Sequence, residues 1–323
     1  MIAHSVSIVI PVYQSEHSLR PLLARLETVL PGLARRYEVI LINDGSRDGS
    51  GAVLDEAAQR YHWVRPVHLM RNYGQHNAVL CGIRLANYDI TVTMDDDLQN
   101  PPEEIEKLLH KLAEGCDAVY GYPEKETHGF LRDVASRVTK ISLQRAMGVA
   151  TASRVSSFRA FRTQVRDAFQ DYRGAFVSID VLLGWGTTRF AAVPVDNPPR
   201  TIGKSNYTVS KLILHAVNMM TGFTTLPLQM ASILGFVFAL FGACVLVYVV
   251  GRYFIQGGSV PGFPFLVSIF SIFSGVQLFA LGIIGEYMAR MHFRLMDRPS
   301  YTIRSGGQPA RHSPPAAVGT GGA

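Results

Sequence analysis

The sequence predicts an α/β domain with a mostly parallel sheet, followed by a hairpin of two transmembrane helices, and three observations predict it. Continuous apolar, β-branched runs are separated by stretches with leucine and alanine at helical spacing, the pattern of strands covered on both faces by crossover helices. A polar cluster follows each of the first four apolar runs. No Asp, Glu, Lys or Arg occurs from Leu212 to Gly251, and after Arg252 none occurs again before Glu286.

VSIVIPV is the first strand, and residues 15–34 carry leucines at helical spacing. YEVILIND is the second strand with GSGAVLDEAAQRY as its helix, VRPVHLM the third with NAVLCGIRLA, and ITVTMDD the fourth. The helix EEIEKLLHKLAEG follows, with Asn100 expected as its N-cap and Pro101, Pro102, Glu103 and Glu104 in its first turn. Ligands of open parallel sheets bind at the carboxyl ends of the strands. PVYQSE, NDGSRDGS, RNYGQHNA and DDDLQ all stand at such ends, so they are expected to line one crevice. The like charges of Asp95, Asp96 and Asp97 repel one another. They read either as solvated turn residues or as carboxylates gathered round a divalent cation. His76 reads as a hydrogen-bonded residue of a helix start.

QMASILGFVFALFGACVLVYVVG and FPFLVSIFSIFSGVQLFALGIIG each exceed the roughly 20 apolar residues that cross a hydrocarbon core. The N-terminus MIAHSVSIVIPV has no charged region and no cleavage site, so residues before the first span are expected on the synthesis side, and the hairpin returns the chain there. Arg200, Lys204 and Lys211 precede the spans and Arg290, Arg294, Arg298 and Arg304 follow them, against Arg252 between, which agrees with the positive-inside rule. The expected organisation is an α/β domain over 1–208, an interfacial amphipathic helix over 209–225, spans over 226–251 and 263–286, a cytosolic segment over 287–304 and a disordered Gly/Pro/Ala-rich tail over 305–323.

The 31 Lys and Arg against 25 Asp and Glu make a mild excess that suits an anionic membrane or a phosphate-rich substrate. The basic residues gather beside the spans rather than on an aromatic-studded sheet, which argues against a nucleic-acid partner. Cys81, Cys116 and Cys244 have no metal-like spacing and read as thiols of a reducing compartment.

PVYQSEHSL, VILINDGSRDGS, RNYGQHNAVLCGI and DDDLQNPPEEI, in that order and spacing, resemble family 2 glycosyltransferases of the GT-A fold, a Rossmann-like architecture. The narrower resemblance is to the polyprenyl-phosphate glycosyltransferases: dolichyl-phosphate mannose synthases, prophage-type bactoprenol glucosyltransferases and, most closely, undecaprenyl-phosphate 4-deoxy-4-formamido-L-arabinose transferases. It runs from about residue 5 to about residue 304 and includes GEYMAR after the second span. The resemblance implies an inverting transfer of one sugar from a nucleotide sugar, UDP-linked in the nearest relatives, to undecaprenyl phosphate. It places the enzyme in the bacterial inner membrane as a multi-pass protein with its catalytic domain in the cytoplasm, as a homo-oligomer.

By the same resemblance Pro11, Tyr13, Asp44, Asp95 and Asp96 bind the nucleotide, with Asp44 accepting from the base ring. Asp95 and Asp97 form the catalytic D-x-D pair, and Asp97 and Gln99 hold Mg2+ or Mn2+ against the diphosphate. Carboxylate and amide oxygens are the hard ligands such cations prefer, and the cation offsets charge on the leaving group. PPRTIGKSNYTVSK resembles a lid over the diphosphate, giving Arg200, Ser205, Tyr207 and Lys211. Arg132, Ser136 and Lys140 fall at i, i+4, i+8 on one helix face and are expected to hold the acceptor phosphate.

The chain departs from the family pattern at Tyr13-Gln14-Ser15 and at Asn43-Asp44, and it has Ser153 where relatives carry an acidic residue proposed as a base. A phosphate monoester with a second pKa of about 6 is already charged at neutral pH, so positioning matters more than deprotonation. Two other functions compete. A membrane-anchored sugar-nucleotide binder is one, and a processive polysaccharide synthase the other, though the chain lacks a Q-x-x-R-W motif and has only Trp63 and Trp185.

Overall fold

The computed structural model describes residues 3–123, 154–174, 177–198, 226–256 and 262–304. Arg132, Ser136, Lys140, Ser153, Arg200, Ser205, Tyr207, Lys211, the expected helix at 209–225 and the tail at 305–323 lie outside the described residues.

The chain begins β1 (Ala3–Val12), α1 (Glu16–Leu33), β2 (Ala34–Asn43), α2 (Ser50–Arg60), β3 (Val64–His68), α3 (Gln75–Leu85) and β4 (Ile90–Thr93). These match the alternation in the sequence. After α4 (Ile105–Ala113) come β5 (Ala118–Pro123), β6 (Arg159–Arg162), a 3-10 segment (Thr163–Phe169), α5 (Ile179–Gly186) and β7 (Phe190–Val195). The described strands form one sheet in the order β3-β2-β1-β4-β6-β5-β7. β3, β2, β1 and β4 run parallel, β5 and β7 run parallel, and β6 lies antiparallel between β4 and β5.

Each central strand is apolar on both faces because each face meets helices. Val6, Ile8, Ile10 and Val12 of β1 and Val39 and Leu41 of β2 join the cluster built on α1, α2 and α4. Val9, Ile40 and Ile42 point the other way, to α3 and α5. Ser5 and Ser7, buried among them, are satisfied: their hydroxyls donate to Asp89 (2.5 Å) and Glu38 (2.7 Å). Gly82 lets α3 approach β1, since a Cβ there would run into Val9 Cγ1.

The expected N-cap at Asn100 is corrected. A 3-10 turn, Pro102–Glu104, precedes α4, and Pro101 holds the boundary conformation (φ −63°, ψ 134°). Pro102 disfavours helical backbone in the residue before it, so the helical path cannot begin at Pro101 and Asn100 falls one residue too early. Glu104 is buried, where it accepts from the Asp196 amide (3.1 Å) and pairs with Lys107 (2.6 Å).

Helices α6 (Leu226–Gln256) and α7 (Phe263–Leu295) pack on each other, with Phe238 and Phe273 edge to face at 5.8 Å. Within them Pro227–Val245 and Ile272–His292 are long and apolar enough to cross a membrane. Phe236, Ile233, Leu278 and Phe279 are 63–71% exposed, an apolar surface that water would not tolerate at this density. α7 runs on past Glu286 to Leu295, and the segment behind it returns to the sheet. Ile303 bridges Leu69 antiparallel, the Met70 amide donates to the Thr302 carbonyl (2.9 Å), and Asp297 pairs with Arg173 (2.9 Å). The edge beyond β3 is thereby covered.

Candidate functional site

The carboxyl ends of β1, β2 and β4 lie side by side, since Val12 pairs with Asn43 and Val9 with Thr93. Pro11 is half-buried at the end of β1, and the Tyr13 ring beyond it is 45% exposed. Gln14 takes a left-handed conformation (φ 54°) that turns the chain from β1 into α1. Its amide donates to Ser46 Oγ (3.1 Å) and that of Ser15 to Ser50 Oγ (2.9 Å), which ties this turn to the loop after β2.

Asp44 is 2% exposed and sits beneath that loop. Its carboxylate accepts from the backbone amides of Tyr73 (2.7 Å) and Gly74 (2.8 Å), one on each oxygen. Burial raises its pKa and the two amides oppose the rise. Asp44 therefore joins the β2 end to the loop before α3, where Gly74 has φ 93° and His76 stands in the first helical turn. Gly45 (φ 67°) allows a close approach: a Cβ there would lie 2.6 Å from the Arg71 carbonyl carbon and the Asn72 nitrogen.

The three aspartates divide in environment. Asp95 accepts from the Gln75 side-chain amide (2.7 Å) on one oxygen and from Ser157 Oγ (2.6 Å) on the other. Asp96 turns inward: its Oδ2 is buried with no hydrogen-bond partner among the described residues, and burial, reinforced by Asp95 and Asp97, pushes its carboxyl up to about 7 although the Ser15 hydroxyl opposes this. Asp97 Oδ1 accepts from the Gln99 amide (3.1 Å) across left-handed Leu98 (φ 61°). The triplet is thus neither a plain solvated turn nor a closed metal cage.

Among the described residues no group of three His, Cys, Asp or Glu is placed to hold a metal ion. A carboxylate at Asp97 and a carboxamide at Gln99 are hard oxygen donors bound into one tight turn, a set that fits Mg2+ or Mn2+ if other oxygens complete the shell. The phosphate oxygens of a ligand are donors of that kind.

Sequence reasoning missed a buried group behind Asp95. Arg159 (4% exposed) pairs with Asp180 (8% exposed) on α5, and Asp180 also accepts from the hydroxyl of fully buried Tyr120 (3.2 Å). The signal was present as one charge in FRAF and one of opposite sign in FVSIDVLLGW, each isolated in an apolar run.

Residues 7–169 match the profile of glycosyl transferase family 2. The chain is 36% identical over 302 residues to the undecaprenyl-phosphate 4-deoxy-4-formamido-L-arabinose transferase of Klebsiella pneumoniae (strain 342), covering 93% of this chain and 92% of that one. Among solved structures it resembles glucosyl-3-phosphoglycerate synthase from Mycobacterium tuberculosis in complex with Mn2+, UDP and phosphoglyceric acid, with TM-score 0.52 and 18% identity over 68% of this chain and 76% of that one. The same enzyme with Mg2+ and UDP gives TM-score 0.51 and 16% identity over 68% and 77%. The shared architecture is the GT-A fold.

Proposed function

The chain belongs to glycosyl transferase family 2, and from that premise we propose that this glycosyltransferase moves one sugar from a UDP-linked donor to undecaprenyl phosphate, with inversion, at the cytoplasmic face of a bacterial inner membrane. One observation carries the reading. The adjoining ends of β1, β2 and β4, which are followed by Tyr13, Asp44 and Asp95 to Asp97, stand in the same chain as two helices able to cross a membrane. The Klebsiella relative, whose name gives undecaprenyl phosphate as acceptor, is similar over nearly the whole length, including the hairpin. The glucosyl-3-phosphoglycerate synthase structures, which hold UDP with Mn2+ or Mg2+, motivate the choice of nucleotide and metal.

In this reading 1–208 is the catalytic domain, 209–225 lies along the interface, 226–251 and 263–286 span the bilayer, and 287–304 returns to the cytosolic side. The Tyr13 ring offers a face to the base, and Pro11 and Asp44 shape the base and ribose site. Asp44 would accept from the base as a third hydrogen bond, which a carboxylate has lone pairs to do. Asp95 and Asp96 contact the nucleotide, and Asp97 and Gln99 hold the divalent cation. That cation supplies charge neutralisation at the leaving diphosphate. Arg200, Ser205, Tyr207 and Lys211 close over the diphosphate, while Arg132, Ser136 and Lys140 hold the acceptor phosphate in line with the anomeric carbon. The acceptor oxygen is already anionic, so Ser153 in place of an acidic residue is compatible with turnover.

The test is incorporation of radiolabelled sugar into organic-extractable lipid by purified protein with undecaprenyl phosphate, Mn2+ and a panel of nucleotide sugars. Product with one donor, lost in Asp97→Ala, is the expected result. No product across the panel, with nucleotide binding still seen by calorimetry, would leave a binder instead of a transferase.

A further inference from the structure

We propose that Ser157 is a positioning residue for Asp95, and that the buried Arg159–Asp180 pair is the foundation that keeps it in place; the inference rests on the donor-site reading above. Asp95 lies just beyond the carboxyl end of β4 and is gripped on both oxygens, by Gln75 at the start of α3 (2.7 Å) and by Ser157 just before β6 (2.6 Å). Both of these donors are neutral. An amide and a hydroxyl fix the plane of the carboxylate without bringing a charge of their own to it.

Ser157 is itself held from behind. Its carbonyl accepts from Thr93 Oγ1 (2.7 Å), and Thr93 Oγ1 accepts from Arg159 Nε (3.0 Å). Thr93 and Arg159 are register partners across β4 and β6, so the same cross-strand pair sets the spacing between Asp95 and Ser157. Arg159 in turn meets Asp180, which also accepts from Tyr120. The guanidinium, packed at 4% exposure, cannot shift without abandoning its counter-ion in the core. Half-buried Asp95 is thereby connected, through one threonine and one serine, to a buried, hydrogen-bonded ion pair. Orientation matters at such a site because small misplacements of a contacting group reduce turnover steeply.

The experiment compares the wild type with Ser157→Ala and Ser157→Thr, full-length in nanodiscs. Donor KM, kcat and acceptor KM are read in the lipid-transfer assay, UDP affinity by calorimetry with Mn2+, and Tm by fluorescence. Ser157→Ala removes one oxygen and keeps Cβ. The expected result is a loss of about tenfold in donor kcat/KM, a parallel loss in UDP affinity, an unchanged acceptor KM and a Tm close to wild type. Ser157→Thr, which keeps the hydroxyl, restores most of both. Donor kinetics and UDP affinity within twofold of wild type in Ser157→Ala would overturn the inference. So would equal losses in donor and acceptor parameters with a fallen Tm, which would mark a structural role only. A wild type that transfers no sugar from any donor refutes the underlying functional reading, and that outcome is seen before any variant is compared.

Discussion

Asp180→Asn should destabilise the catalytic domain more than any isosteric change at its surface. Asparagine keeps the volume and can still accept from Tyr120, so what is removed is the charge opposite Arg159. The Arg159 side chain is 4% exposed and that of Asp180 11%, so water cannot take over from the lost carboxylate. Breaking one side of such a buried pair costs about 3–5 kcal/mol. At roughly 2–4 °C per kcal/mol for a domain of this size, Tm should fall by about 6–20 °C. The double variant Arg159→Met with Asp180→Leu removes both charges and should recover most of the loss, leaving about 1 kcal/mol for the Tyr120 hydroxyl without its acceptor. Thermal unfolding in detergent can be followed by Trp63, which packs in the core against Tyr61 at 4.9 Å. A fall of less than about 3 °C in Asp180→Asn, or a double variant no better than the single one, would refute the reasoning.

Three further outcomes follow from particular contacts. Gly45→Ala places a side chain at φ 67° against the Arg71–Asn72 backbone, and the strain of roughly 1–2 kcal/mol per such residue should appear as weaker UDP binding by calorimetry, with a Tm change of a few degrees. Gly82→Ala overpacks α3 against Val9 and should cost about 1–3 kcal/mol in urea unfolding while leaving donor KM unchanged among molecules that remain folded. Asp117 is held down to about 2, first by its hydrogen bond from Arg189 and further by Thr187 and Arg162. Its stabilisation is therefore complete above the unfolded carboxylate pKa of about 3.9 and is lost as pH falls towards 2. Asp117→Asn should flatten that acid limb of stability, while at neutral pH it costs about 1 kcal/mol or less, because Arg189 is largely exposed.

The parallel half of the sheet was legible because each strand is a continuous apolar run closed by a turn cluster. The Asn100 boundary failed on a local rule, the restriction that Pro102 places on Pro101. β6 escaped because FRAF is short and carries a charge, and only its partner Asp180 on α5, 21 residues on, shows that the charge belongs inside. At the site, Asp95, Asp97 and Gln99 could be named from one contiguous motif. Gln75 and Ser157, which hold Asp95, lie 20 and 62 residues away in sequence, and no periodicity announces a neutral donor at such a distance. Burial of Asp96 was equally hidden, since DDDLQ reads the same whichever carboxylate turns inward.

Mass spectrometry of the lipid product tests the central claim most directly. The protein in nanodiscs containing undecaprenyl phosphate is given Mn2+ and a panel of UDP-sugars, and the organic extract and the released nucleotide are weighed together. The expected product is undecaprenyl phosphate carrying one sugar, with UDP released in equal amount and both absent in Asp97→Ala. Free sugar, a polymer, or a lipid diphosphate with UMP released would contradict single-sugar transfer to a lipid phosphate.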